Sequence, residues 1–310
     1  MRHVLVTDYV HPILITGLRA LGYAVHYAPE IERPLVLQWV GNCTGLVINT
    51  KTIADAELIG AARELKWIGR LGSGLDIIDL ESAEMRSIAV INAPEANANA
   101  VAEHVFGMLL CLIRNIAIAD REVRNGYWNR EKNRGHELRG KTVGVIGYGN
   151  NGSAFASKFK GWDVQVLTYD KYKTNIVADH SFIAEVTLET LISRSDIISL
   201  HVPLTAETKY MVNDVFLSKC KAGAILINSA RGKVVDTKAL LTALESGRLA
   251  GACLDVFENE KPETHTAPES QMYASLAALE NIILTPHIAG WTFESKRQIA
   301  VQITAEVSRL

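Results

Sequence analysis

The sequence predicts an α/β protein with two domains, each built on a doubly wound parallel sheet. Short apolar runs alternate with helical stretches, and this alternation restarts after a polar loop near the middle of the chain. Of the 310 residues, 48% are hydrophobic, so the chain can bury two sizeable cores. A disordered protein is therefore excluded.

The first block contains five apolar runs that fit buried strands of a parallel sheet, separated by helical stretches that begin near His11. The runs are HVLVTDYV, YAVHYAP, GLVINT, LKWIGRLGSG and IAVINAP. A long helical segment follows from about Ala98 to Gly126. The polar loop NREKNRGHELRG then leads into the next strand.

The second block contains six runs of the same kind, again separated by helical stretches. They are KTVGVIG, VQVLTYD, SDIISLHVP, AILINSA, GACLDV and NIILTPHIAG. The last helix, TFESKRQIAVQITAEVSRL, has no sheet of its own to join, so we expect it to pack back on the first block. The predicted domains are therefore residues 1–98 with 289–310, and residues 99–288.

Charge and cysteine spacing exclude several classes of protein. The net charge of −2 comes without a dense Lys/Arg tract, so nucleic acid is not an expected partner. The four cysteines are far apart, which fits neither a zinc site nor a disulfide scaffold, and we expect no metal. The N-terminal segment resembles a first strand and does not resemble a secretory leader. The apolar run Val105–Ile113 is too short to span a bilayer. We expect a cytoplasmic protein without membrane contact.

Three spaced glycines, Gly147, Gly149 and Gly152, follow the strand TVGVIG and begin a helix. A glycine pattern alone also occurs in ordinary turns, but this context is that of a dinucleotide site, where the helix N-terminus binds pyrophosphate. Asp170 lies at the end of the next strand, where a carboxylate can accept hydrogen bonds from both ribose hydroxyls. An acid there repels the extra phosphate of NADP, so NAD is the expected cofactor. Lys171 and Lys173 are the residues that speak for NADP.

Three further polar residues follow strand ends, where α/β sheets bind ligands. Arg231 can clamp a carboxylate through two parallel hydrogen bonds. Glu260 and His287 can form an acid/base unit, because a carboxylate orients an imidazole and favours its protonated form. A structural histidine and a surface Arg/Glu pair remain the alternatives. His201 is assigned to a structural or cofactor-lining role.

From about Gly140 to Trp291 the chain resembles the D-isomer-specific 2-hydroxyacid dehydrogenases. The resemblance rests on five motifs in the family's order: GYGNNG, HVPLTAETKYMV, INSARGKVVD, GACLDVFENE and TPHIAGWT. The first block is similar too, through IGRLGSGLDIIDL and INAPEANANAVAEH, and short phosphoglycerate-dehydrogenase-like members are the most similar. The resemblance implies a flavodoxin-like substrate domain and a Rossmann NAD-binding domain.

The resemblance also implies roles for individual residues. Arg231 would bind the substrate's carboxylate and carbonyl, while Glu260 pairs with His287, which exchanges the proton. The residues implied at the cofactor are Asn150 and Asn151 at the pyrophosphate, Pro203 and Thr208 at the adenine and phosphate side, and Ala230 and Asp255 near the nicotinamide. The loop Gly72, Ser73 and Gly74 would bind the substrate carboxylate through its backbone N–H groups.

The expected substrate depends on one position in the first block. Asn49 aligns with a position that is usually arginine in phosphoglycerate-handling relatives, and Lys51 or a partner subunit's Arg134 would have to supply the missing charge. We expect 3-phosphoglycerate and 3-phosphohydroxypyruvate as the substrate pair, with glyoxylate or hydroxypyruvate reduction as the alternative. An NAD-sensing co-repressor is the alternative from another class. The family also implies a homodimer, and since the chain ends at Leu310 we expect no serine-sensing C-terminal module.

Overall fold

The computed structural model describes residues 2–175, 177 and 182–310, and it divides into two compact units. Unit 1 contains the residues up to Ala98 and the segment Trp291–Leu310, and unit 2 contains Asn99–Gly290. The second boundary thus follows Gly290, two residues later than the sequence analysis places it.

Unit 1 is built on a five-stranded parallel sheet in the order β2-β1-β3-β4-β5, the flavodoxin-like order. The strands are β1 Arg2–Val6, β2 Tyr23–Tyr27, β3 Gly45–Ile48, β4 Trp67–Arg70 and β5 Ala89–Ile91. The helices are α1 Pro12–Ala20, α2 Arg33–Trp39, α3 Ala56–Ala61, α4 Leu80–Met85 and, at the C-terminus, α12 Phe293–Val307. The three inner strands are largely buried, whereas β2 lies at an edge and leaves His26 and Tyr27 exposed.

The C-terminal helix belongs to unit 1 because it packs closely against α1. A Cβ atom added to Gly17 of α1 would lie 2.6 Å from the Thr304 side chain of α12, so only glycine permits this approach. Ile299 and Ile303 of α12 enter the same core as Trp67. This packing joins the two ends of the chain in one domain.

Unit 2 is built on a seven-stranded parallel sheet in the order β12-β11-β10-β9-β6-β7-β8. The strands are β6 Thr142–Ile146, β7 Gln165–Tyr169, β8 Ile183–Glu185, β9 Ile197–Leu200, β10 Ala224–Asn228, β11 Leu249–Leu254 and β12 Ile282–Leu284. The helices are α5 Ala98–Ile113, α6 Ile116–Arg124, α7 Asn150–Ser157, α8 Leu188–Arg194, α9 Asp214–Lys219, α10 Thr237–Glu245 and α11 Ala267–Ala278. The short strand β8 is not among the strands that the sequence analysis predicts.

The long helical segment predicted from Ala98 to Gly126 is wrong as one continuous helix. It consists of α5 and α6, which meet at a 64° bend, with Asn115 in the left-handed conformation (φ 53°) at the break. Asparagine tolerates this conformation better than most residues, but nothing in the apolar periodicity predicts where it occurs. Among the described helices, none is by itself long and apolar enough to cross a membrane, and α5 and α6 reach that length only together, across the bend.

Candidate functional site

The strands of unit 2 end at one edge of the sheet, in register. Ile146, Leu200, Asn228, Leu254 and Leu284 are successive partners across β6, β9, β10, β11 and β12. The residues that follow these strands therefore lie along the same edge, and the chain order reverses between β6 and β9, where doubly wound sheets bind ligands. The glycine turn, Arg231, Glu260 and His287 all follow strands at this edge.

The three glycines of the turn after β6 have different packing requirements. Gly147 has φ +90°, and a Cβ there would lie 2.6 Å from the His201 carbonyl oxygen. A Cβ on Gly152 would lie 2.0 Å from the Gly147 carbonyl oxygen. Gly149, in contrast, has nothing within 4 Å of that position. The outer two glycines are thus required by close packing within the protein, while the middle one leaves the backbone open to a ligand.

The helix that follows this turn is suited to an anion. Gly149 is the N-cap of α7 and provides no side-chain cap, so the first-turn N–H groups keep their bonding capacity. Asn150 is exposed at this end, and the Oδ1 atom of Asn151 is buried without a hydrogen-bond partner among the described residues. Rotating that amide by 180° presents an N–H donor at the same point. These features fit the pyrophosphate of a dinucleotide.

Asp170 holds two turns together. Its Oδ2 accepts a hydrogen bond from the Tyr148 N–H (2.8 Å), and its Oδ1 accepts from the N–H groups of Tyr172 (3.0 Å) and Lys173 (3.1 Å). A carboxylate has about four acceptor positions, so about one remains for a ribose hydroxyl. Lys171 lies 2.5 Å from Glu207, which neutralises the nearer of the two lysines that opposed the NAD assignment.

The loop after β9 is closed by Thr208. The Thr208 hydroxyl donates to the Pro203 carbonyl (2.6 Å) and accepts from the Thr205 N–H (2.8 Å), which fixes the predicted adenine-side residues in one turn. His201 precedes this turn, and its Nε2 lies 2.9 Å from the Ser199 hydroxyl. Burial lowers the pKa of His201 to about 4, so this imidazole is neutral near pH 7.

The turn that carries Arg231 is fixed by a residue that the sequence analysis missed. The buried Asn228 side chain accepts from the Ala230 N–H (3.0 Å) and donates to the Arg231 carbonyl (3.0 Å). A Cβ on Gly232 would lie 1.8 Å from the Phe257 carbonyl oxygen, so this turn presses directly on the loop that carries Glu260. Arg231 is partly buried, and its Nη1 donates to the Ala230 carbonyl (2.7 Å). The signal for Asn228 was a polar residue at the end of an apolar strand.

His287 and Glu260 meet at this edge. Nδ1 of His287 lies 2.8 Å from Oε2 of Glu260, with 45% and 39% of the two side chains exposed. The pairing leaves Nε2 of the ring as the nitrogen that can face a ligand. His287 has φ +56°, an uncommon conformation for a residue with a side chain. The surrounding structure must therefore hold this turn in place.

A second carboxylate, Glu258, anchors the loop that carries Glu260. It accepts hydrogen bonds from the Tyr210 hydroxyl (2.8 Å) and from the Thr237 N–H at the start of α10 (2.8 Å). The hydrogen bond to Glu258 raises the pKa of Tyr210 to about 12, so Tyr210 stays a donor. The motifs HVPLTAETKYMV and LDVFENE are therefore physically joined.

Asp255, which the resemblance placed near the nicotinamide, is completely buried and bonded within the protein. Its Oδ1 accepts from the Thr285 hydroxyl (2.6 Å) and the Ile288 N–H (2.9 Å), and its Oδ2 accepts from the Ala289 N–H (2.8 Å). Burial alone would raise the pKa of Asp255, but these bonds and the nearby His104 ring outweigh burial and lower the pKa. The carboxylate is thus a structural anion beneath the His287 turn.

In unit 1, the predicted carboxylate loop Gly72–Gly74 carries a cation that the sequence analysis missed. The Arg70 guanidinium lies so close to Gly72 that a Cβ there would be 1.5 Å from Nη1. The loop is further held by Asn92, whose side chain donates to the Ser73 carbonyl (2.7 Å). The signal was a charged residue at the end of strand β4.

The other residues predicted for the substrate are less suited to binding it. Asn49 is 5% exposed, and its N–H donates to Asp8 Oδ2 (2.9 Å). The Lys51 ammonium donates to the Pro29 carbonyl, and Arg134, in unit 2, pairs with Glu131 three residues earlier in the same loop. Both positive charges therefore already have a partner. The described residues contain no group of three or more His, Cys, Asp or Glu side chains able to bind a metal.

Comparisons with known proteins show the family of the chain. Residues 106–289 match the model of the D-isomer specific 2-hydroxyacid dehydrogenase, NAD binding domain. The chain is 38% identical over 304 residues to a D-3-phosphoglycerate dehydrogenase from Archaeoglobus fulgidus, with 98% of this chain and 56% of that protein covered. It is 36% identical over 280 residues to a hydroxypyruvate reductase from Thermotoga maritima, with 90% and 88% covered.

The fold comparison gives the same result. The crystal structure of a D-lactate dehydrogenase from Aquifex aeolicus, complexed with NAD and lactic acid, matches with a TM-score of 0.85 and 31% identity, covering 99% of this chain and 94% of that one. The chain spans about half the length of the curated phosphoglycerate dehydrogenases it matches, and most of the length of the reductase. The two-domain α/β fold and the NAD-binding domain are those of these proteins. The chain belongs to the D-isomer specific 2-hydroxyacid dehydrogenase family.

Proposed function

We propose that this protein is an NAD-dependent oxidoreductase that interconverts a small D-2-hydroxy acid and its 2-oxo acid. One observation carries the proposal: the His287–Glu260 pair, at 2.8 Å, lies at the same sheet edge as the Arg231 turn and the glycine turn. An acid/base pair, a carboxylate-binding cation and a dinucleotide cradle at one edge are the parts that this reaction requires.

The cofactor would be held by the turn after β6. The open backbone at Gly149 and the first N–H groups of α7 bind the pyrophosphate, and the remaining acceptor position of Asp170 binds a ribose hydroxyl. When bound, NAD supplies or accepts the hydride. The pairing of Lys171 with Glu207 leaves Asp170 to disfavour the additional phosphate of NADP.

The protein's own residues perform the acid/base step. In the reducing direction, Nε2 of protonated His287 donates its proton to the carbonyl oxygen as that oxygen gains negative charge. Glu260, on Nδ1, stabilises the imidazolium before the transfer. Arg231 binds the substrate carboxylate and stabilises the developing charge on the oxygen. In the oxidising direction the same groups act in reverse.

For the substrate, we propose 3-phosphoglycerate and 3-phosphohydroxypyruvate, on the strength of the similarity to the Archaeoglobus fulgidus enzyme. Arg70, whose guanidinium lies against Gly72, would supply a positive charge beside the loop expected to bind an acidic substrate group. A second candidate, reduction of hydroxypyruvate or glyoxylate, is favoured by Asn49 and Lys51. Asn49 is buried and uncharged, and the Lys51 ammonium donates to a backbone carbonyl.

The deciding experiment is NADH oxidation with 3-phosphohydroxypyruvate, measured beside hydroxypyruvate and glyoxylate at matched concentrations. These first two substrates differ only by the phosphate. A kcat/KM at least tenfold higher for the phosphorylated acid supports phosphoglycerate, and equal or reversed values support the small-acid reductase. NADH binding without turnover of any 2-oxo acid would contradict the proposed enzyme and favour the NAD-sensing co-repressor.

We also propose that the protein forms a homodimer through α6 and the loop after it. None of the residues of α6 is buried, and Ile116 and Val123 are each 53% exposed. Tyr127 and Trp128 follow and are also exposed. Light scattering at micromolar concentration tests this: we expect a dimer that Trp128→Ser weakens, and a monomeric wild type would contradict it.

A further inference from the structure

The turn that carries His287 is held by one residue beneath it. Three consecutive N–H groups, those of His287, Ile288 and Ala289, donate respectively to the backbone oxygen, Oδ1 and Oδ2 of Asp255 (2.8, 2.9 and 2.8 Å). These three bonds hold His287 at φ +56°. The position of the catalytic imidazole therefore depends on the position of the Asp255 carboxylate.

The Asp255 carboxylate in turn rests on two side chains from other elements. The hydroxyl oxygen of Thr285, just after β12, is 2.6 Å from Oδ1 of Asp255. Nε2 of His104, on α5, is 3.0 Å from that hydroxyl oxygen and 3.5 Å from Oδ1 of Asp255. Asp255 is 0% exposed, and a buried carboxylate is stable only when donors or a cation satisfy it. His104 is the titratable side chain that lies beside this carboxylate.

The direction of these hydrogen bonds follows from counting protons. The Thr285 hydroxyl has a single hydrogen, and its 2.6 Å contact with a carboxylate is a strong, charge-assisted bond. Its 3.7 Å contact with the Met108 sulfur is far weaker. With that hydrogen directed at Asp255, the hydroxyl oxygen must accept from His104. Nε2 of His104 therefore carries a proton.

We propose that His104 is a positioning residue for His287. It acts through Thr285 and Asp255: its Nε2–H fixes the Thr285 hydroxyl, the hydroxyl fixes the carboxylate, and the carboxylate fixes the turn that presents His287 to Glu260. The 16-residue helix α5 provides a rigid base, because Val105 and Leu109 on it enter the core of unit 2. The inference rests on the proposed dehydrogenase activity, since His287 has no proton to transfer without it.

The test compares His104→Leu, which removes the donor, with His104→Gln, whose side-chain N–H reaches about as far as Nε2. We expect His104→Leu to lower kcat about tenfold or more, because small displacements of a catalytic group have large effects on rate. KM for the oxo acid and the Kd for NADH, measured by protein fluorescence, should change less than twofold. His104→Gln should restore kcat to within about threefold of the wild type.

Two further variants separate positioning from folding. Thr285→Val removes the same link with almost no change of volume, so it should lower kcat similarly, and the double variant His104→Leu/Thr285→Val should lose no more than either alone. Glu103→Gln, on the neighbouring exposed position of α5, is the matched control and should behave as the wild type. All variants are checked by thermal unfolding.

Several results would overturn the proposal. One is an unchanged kcat in His104→Leu. Another is a double variant whose loss of kcat equals the product of the losses in His104→Leu and Thr285→Val. The third is a loss of NADH affinity in His104→Leu as large as its loss of kcat. Failure of the proposed function looks different, because the wild type itself would then turn over no 2-oxo acid. Even then, nitrogen-15 spectra of the histidine rings test the structural part, since they report whether Nε2 of His104 carries a proton in the protein without cofactor.

Discussion

Gly232 lies so close to Phe257 that a Cβ atom added to it would stand 1.8 Å from the Phe257 carbonyl oxygen and 2.5 Å from the Glu258 nitrogen. These contacts are with backbone atoms, which cannot move aside as a flexible side chain would. The turn of Arg231 and the loop of Glu260 are therefore set against each other, and the distance between the two proposed catalytic groups depends on this glycine.

We predict that Gly232→Ala lowers kcat/KM by about tenfold or more, because it separates the Arg231 turn from the Glu260 loop. The measurement is steady-state NADH oxidation with the best 2-oxo acid. The matched control is Gly107→Ala in α5, where a Cβ meets nothing within 4 Å and alanine should instead stabilise the helix by about 0.5–1 kcal/mol. If both variants keep full activity, the contact has no functional role.

The His287–Glu260 pair leads to a prediction about rate. Replacing Glu260 by glutamine removes the charged partner of Nδ1 of His287, which weakens the hydrogen bond that orients the ring. Steady-state kcat for reduction should then fall by about tenfold or more in Glu260→Gln, while the Kd for NADH changes less than twofold. A kcat equal to that of the wild type would argue against the pairing.

Removal of the imidazole itself should have a larger and different effect. We expect His287→Ala to lower kcat for reduction by about 10²–10⁴-fold, the usual contribution of a general acid, while NADH affinity changes less than twofold. Stopped-flow mixing and fluorescence titration measure the two quantities separately. A variant that retains turnover would remove His287 from the mechanism.

Much of this arrangement could be predicted from the sequence, for reasons that are local. Gly147, Gly149 and Gly152 stand between an apolar run and a helix, and strand ends are visible where apolar runs stop, so Arg231 and His287 could be assigned to the ligand-binding edge. The five strands of unit 1 and six of the seven in unit 2 follow from the same alternation of runs and helices. The missed strand, β8, has only three residues.

The rest depends on contacts between residues that are distant in sequence. Asn228, Arg70 and His104 look like ordinary polar residues until the fold brings them to Ala230, Gly72 and Thr285. The break between α5 and α6 is set by one left-handed residue, Asn115, which apolar periodicity does not reveal. Lys51 likewise shows its carbonyl partner only in the folded chain.

Cofactor selectivity provides a prediction at Asp170. We expect the wild type to prefer NADH over NADPH by at least tenfold in kcat/KM, because this carboxylate repels a 2′-phosphate. Since Asp170 also bonds the Tyr148 N–H, Asp170→Asn, which keeps an acceptor, is a better test than alanine. It should narrow the preference, whereas Lys171→Ala, whose charge Glu207 already neutralises, should not. An unchanged preference in Asp170→Asn would contradict the assignment.

The partly buried His201 makes stability depend on pH. Its pKa is lowered by burial from 6.5 to about 4, so the unfolded chain binds a proton in a range where the folded chain does not. The folded state therefore keeps its full stability above about pH 6.5 and loses stability as the pH falls toward 4. At pH 5 the loss amounts to roughly 2 kcal/mol of the free energy of unfolding. Urea unfolding at pH 7.5 and 5.0 measures it, and His201→Gln, which cannot titrate, should lose that much less free energy of unfolding than the wild type between the two values. Equal losses in both proteins would mean that this imidazole takes up its proton in the folded state as readily as in the unfolded chain.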